Sequence, residues 1–130
     1  MLESEHDTAQ LHDRIGSIHA ERLEVDAALN HYGAALRIKD RIGNLRAFAQ
    51  TLTNVGVILY TTGELRRALR YFTRAELIFE TLGAPDRGLT GPFREAIVRQ
   101  LGKSEADAIF KIVAAGEYEL EAWEETDQPE

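Results

Sequence analysis

Sliding residues 9–43 onto 49–83 brings ten identical pairs into one ungapped register, and this self-similarity constrains the fold more than anything else in the sequence. Ala9 meets Ala49, Gln10 meets Gln50, Gly16 meets Gly56, Ile18 meets Ile58 and Glu24 meets Glu64. Further on, Ala28 meets Ala68, Leu29 meets Leu69, Ala35 meets Ala75, Ile38 meets Ile78 and Gly43 meets Gly83. Conservative pairs such as Ile15 with Val55 and Tyr32 with Phe72 fill the gaps. A tandem repeat of this period predicts stacked helical hairpins, because one such unit cannot bury its own apolar face without a neighbour.

The stretch from 49 to 78 shows the hairpin most clearly. Leu52, Val55, Gly56 and Leu59 recur at the spacing of one helix face, and Leu65, Ala68, Leu69, Phe72, Ala75 and Ile78 do the same in the next segment. Thr62, Gly63 and Glu64 interrupt the pattern between them. Gly56 and Ala68 are small where two such helices would meet, which leaves room for Phe72 beside them. The same reading along the chain predicts helices at 5–22, 25–42, 45–61 and 65–82, with Gly43 and Gly83 as stops. After Gly83 the repeat decays. A helix at 92–101 takes Pro92 in its first turn and carries Phe93, Ile97 and Leu101 on its apolar stripe. Ser104 with Asp107 reads as the cap of a last helix bearing Ala106, Ile109, Phe110 and Val113. Extending that stripe through Leu120 and Trp123 carries the helix to about Glu125.

Charge separates a body from a tail. Residues 1–116 hold 15 acids and 15 bases, whereas 117–130 hold seven acids and no base, so the net charge of −7 lies in the tail. The expected organisation is therefore a helical domain at 1–116 and an acidic segment at 117–130. An acidic chain is a poor match for nucleic acid. No apolar run is long enough for a membrane span, and the polar start lacks the features of a signal peptide. With no cysteine there is no disulfide framework. The expectation is a soluble cytoplasmic protein.

In the second repeat Leu52, Val55, Gly56, Leu59, Ala68 and Phe72 match the tetratricopeptide pattern, and Gly63 stands at its inter-helix turn. The first repeat matches with His12, Ile15, Gly16, His19, Ala28 and Tyr32. The chain thus resembles the tetratricopeptide repeat family over about residues 9–83. It departs from it in lacking the closing proline, with Asp40 and Glu80 there instead, and in its longer period. The resemblance implies an all-α solenoid of about three hairpins, the last degenerate, acting as a non-enzymatic scaffold that binds a peptide or helix of another protein. The inner wall implied by it carries Gln10, Asp13, Arg14 and Ser17 from the first repeat. Gln50, Thr53, Asn54, Val57 and Tyr60 come from the second, and Arg94 and Gln100 from the third. The alternative is a self-assembling building block whose incomplete ends stack on other copies, since the first helix has no preceding repeat to cover Ile15 and Ile18.

Other features are weighed separately. Arg66, Arg67, Arg70 and Arg74 form a basic strip, either solvated or meeting an acidic segment such as the chain's own tail. His12 and His19 stand about 10.5 Å apart along a helix, too far to share one ion, and read as packing residues. Gly102, Lys103 and Ser104 mimic the end of a phosphate-binding loop, but Ile97 occupies the place of the earlier glycine. No catalytic motif is present, so neither enzymatic activity nor a metal or cofactor is expected.

Overall fold

Short turns and apolar stripes decide the architecture, and the computed structural model, which describes residues 4–84 and 89–116, shows six helices and no strand among them. They are α1 (Glu5–Glu21), α2 (Val25–Arg41), α3 (Leu45–Thr61), α4 (Leu65–Leu82), α5 (Gly91–Leu101) and α6 (Lys103–Ala114). Ser4 caps α1 by accepting from the Asp7 amide, and Asn44 caps α3 by accepting from the Ala47 amide. Gly83 ends α4 in the left-handed conformation (φ 64°), and Gly63 takes φ 87° in the turn before α4.

Helices α1 and α2 form one antiparallel pair, and α3 and α4 a second. Each closes over a glycine. A Cβ on Gly56 would lie 2.6 Å from the Phe72 ring, and one on Gly16 would lie 2.9 Å from the Tyr32 ring. The pairs join where α3 packs against α2, and α3 touches α1 only lightly. The core runs from Ala28, Leu29 and Tyr32 through Leu52, Val55 and Leu59 to Phe72 and Phe79, then on to Ile97, Ala106 and Ile109. No helix among the described residues is long and apolar enough to cross a membrane.

The third unit departs from the first two. Helix α6 packs chiefly on α4, while α5 divides its contacts between α4 and α6; the two lack the extensive pairing of the first two hairpins, because Gly102 alone separates them and turns a corner. Gly102, not Ser104, is the N-cap of α6. Ser104 is exposed inside the first turn, where Lys103 reaches Asp107 at 2.7 Å and competes for the carboxylate expected to close a capping box. Helix α6 ends at Ala114, and Gly116 follows with φ 75°. The expected continuation to Glu125, and the acidic segment 117–130, lie outside the described residues.

Candidate functional site

Helix α3 is the most deeply embedded element, with nine buried residues from Ala47 to Leu59. Its register is thereby fixed, and the 3.6-residue period turns Gln50, Thr53, Asn54 and Val57 to the opposite side, where they are half-buried or exposed. The Thr53 hydroxyl donates to the Ala49 carbonyl at 3.0 Å, one turn back on its own helix. Beside it the stripe carries the exposed Gln50, the half-buried Asn54 and the methyls of Val57.

The flanking residues are less available than the sequence suggests. Tyr60 meets the Phe93 ring edge-on at 5.2 Å, and Phe93 in turn stacks on Phe72 at 5.3 Å, so Tyr60 helps seat α5. Ser17 turns toward α2 and shares a 3.0 Å hydrogen bond with the Tyr32 hydroxyl. Arg14 is exposed on α1. Arg94 turns to α4, where its Nε donates to Glu76 at 3.0 Å, beside the fully buried Thr90 whose hydroxyl donates to the same carboxylate.

Asp13 requires a correction. It does not line an open wall but sits with Lys39 and Thr51 where α1, α2 and α3 meet. Lys39 is only 4% exposed and donates to Asp13, to the Thr51 hydroxyl at 2.7 Å and to the Ala47 carbonyl at 3.3 Å. Thr51 donates onward to Asp13 at 2.9 Å. A buried ammonium needs such a set of acceptors. The signal in the sequence is a paired departure: forty residues on, Asp13 and Lys39 correspond to Thr53 and Phe79, so both charges leave the pattern together.

The basic strip is largely engaged within the fold. Arg66 pairs with Glu105 of α6, Arg67 pairs with Glu64 at 3.0 Å, and the Arg74 guanidinium lies 5.1 Å from the centre of the Phe48 ring. Arg74 also rims an open apolar groove of about 200 Å³ lined by Leu45, Leu77, Ile78, Thr81 and Leu82. That groove lies away from the α3 stripe.

Spacing along α1 alone could not reveal His31. It reaches from α2 to His12, with Nδ1 atoms 3.0 Å apart, and stacks on His19 at a ring separation of 5.6 Å. His19 Nδ1 lies 2.7 Å from the Glu24 carboxylate. Burial, followed by the neighbouring His12 and His19, lowers the His31 pKa from its ordinary value. Among the described residues no three His, Cys, Asp or Glu side chains converge as a metal-ligand set. No family model, no curated protein and no solved structure matches the chain.

Proposed function

We propose that this chain is a non-enzymatic, tetratricopeptide-like module that holds a peptide or helix of a partner protein against the outward stripe of α3. The observation that carries the reading is the contrast within that helix: nine buried residues hold it rigid while Gln50 is exposed and Asn54 and Val57 are half-buried, Val57 at the edge of the core. The Asn54 amide can bond a partner's backbone while Val57 covers its apolar side chains. Arg14 extends the surface from α1, and Ser17, Tyr60 and Arg94 shape its borders. The proposed setting is cytoplasmic. Affinity capture with the intact chain tests it, comparing Gln50→Ala/Asn54→Ala with Leu77→Asp/Leu82→Asp in the separate groove. Loss of captured protein from the first variant alone supports the α3 stripe. Loss from the second alone assigns binding to the groove.

A second reading, self-assembly, is favoured by the outer side of α1. Leu11 and Ile18 are 48% and 51% exposed, whereas their counterparts one repeat on, Thr51 and Ile58, are 0% and 3% exposed. A face that is covered in the second unit is therefore open in the first. Sedimentation over a wide concentration range discriminates the readings. A mass that rises with concentration and is restored to one chain by Ile18→Asp supports assembly, and a strict monomer supports the adaptor.

A further inference from the structure

We propose that the acidic segment 117–130 of this same chain docks in the apolar groove between the start of α3 and the end of α4, seating Leu120 and Trp123 there. The groove is open and lined by the exposed Leu45, Leu77 and Leu82 and the half-buried Ile78, with Arg74 on its rim. At about 200 Å³ it is smaller than the ~300–1,000 Å³ of ordinary small-ligand pockets, which favours the side chains of a peptide. Segment 117–130 offers the matching chemistry, since Tyr118, Leu120 and Trp123 are set among seven acids with no base. The apolar groups suit the leucines, and the carboxylates suit Arg74 and, one turn earlier on α4, Arg70.

The course of α6 delivers the segment to this place. Glu105, in the first turn of α6, pairs with Arg66, in the first turn of α4. Ala106, Ile109 and Val113 stay buried along α6, whose chief neighbour is α4, so the two helices run side by side in the same direction. The nine steps from Glu105 to Ala114 advance about 13 Å, which brings the end of α6 level with Arg74 and Ala75, where the groove begins. Arg66, Arg70, Thr73 and Leu77 recur at helical spacing on one side of α4, so Leu77 lines the groove on the side that α6 follows. From residue 117, seven residues can span up to about 23 Å at about 3.3 Å each, against about 12 Å of α4 along the groove. A tether of this length sets an effective concentration on the order of millimolar, which favours the chain's own segment over that of a second copy.

Trp123 is the chain's single tryptophan, so its fluorescence reports the docking directly. The expected result for the intact chain is emission shifted to the blue and acrylamide quenching several-fold weaker than in a free peptide of residues 117–130, both unchanged on dilution. Leu77→Asp/Leu82→Asp in the groove and Leu120→Asp in the segment each raise quenching to the level of the peptide, while Gln50→Ala/Asn54→Ala leaves it unchanged. Quenching in the parent chain equal to that of the peptide overturns the proposal, as does protection that survives Leu77→Asp/Leu82→Asp. Protection lost on dilution overturns docking within one chain and gives the groove to a second copy. Circular dichroism checks folding of the variants. Should the groove pair fail to fold, Leu45→Asp replaces it, because an acid is favoured in the first turn of a helix.

Discussion

Leu23 holds a left-handed backbone conformation, φ 58°, at the turn between α1 and α2, and the corresponding residue of the second hairpin is Gly63 at φ 87°. A side chain there costs roughly 1–2 kcal/mol relative to glycine, offset in part by the greater freedom of glycine in the unfolded chain. Leu23 is also 59% exposed, so little packing compensates. Leu23→Gly is expected to stabilise the isolated chain by up to about 1 kcal/mol, read as a shift in urea midpoint. The opposite sign applies at Gly56. Alanine there gains helix propensity of about 1 kcal/mol, but its Cβ would lie 2.6–2.9 Å from the ring of the fully buried Phe72. Overpacking of that kind wins by about 1–3 kcal/mol, so Gly56→Ala should lower the midpoint. The close approach was legible from the sequence because Gly56 and Phe72 repeat as Gly16 and Tyr32. The strain at Leu23 had no such signal, since an exposed leucine looks the same whatever its φ.

Between elements, the two junctions are each fastened by a polar cluster of opposite arrangement. Asp13, Lys39 and Thr51 tie α1, α2 and α3, with the cation on the second helix of the pair. Glu76, Thr90 and Arg94 tie α4 to α5, with the anion on the second helix. Removing one member of a buried pair strands the other, which costs about 3–5 kcal/mol. Asp13→Ala should therefore be strongly destabilising, while Lys39→Met/Asp13→Leu recovers much of the loss. A double-mutant cycle in urea measures this, and additive losses would show that the contact is not coupled. The histidines couple α1 to α2 in another way. Because His31 titrates below its ordinary value of 6.5, the folded chain binds fewer protons than the unfolded chain as the pH falls. Its contribution is constant above that pH and is lost as pH drops through about 6.5 toward the folded value. The urea midpoint of the parent should fall more than that of His31→Asn over this range. Helix ends were legible to within a residue where Gly and Asn punctuate the turns. These clusters were not, because each is assembled from helices that only the fold brings together.

Across the described residues, cohesion is uneven. Helix α3 has nine buried residues, α6 has three and α5 has Ile97 alone. In a stack where each unit touches only its neighbours, stability is a sum of local terms, so the unit with least burial opens first. The decay of the forty-residue match after Gly83 foreshadowed this, since a sequence that abandons the pattern also abandons the complementary face. It could not show that Gly102 would turn a corner, leaving α5 and α6 without the extensive pairing of the first two hairpins. Native-state hydrogen exchange in low urea should accordingly find the amides of α5 opening at a lower free energy than those of α3, with α4 protected together with α3. Phe93→Ala, which removes the ring lodged between Tyr60 and Phe72, should lower protection in α5 further while α3 changes little. Amides of α5 and α3 exchanging at one common free energy in the parent chain would mean that the six helices open as a single cooperative body. The third unit would then owe its stability to the Glu76, Thr90 and Arg94 fastening more than to its buried area.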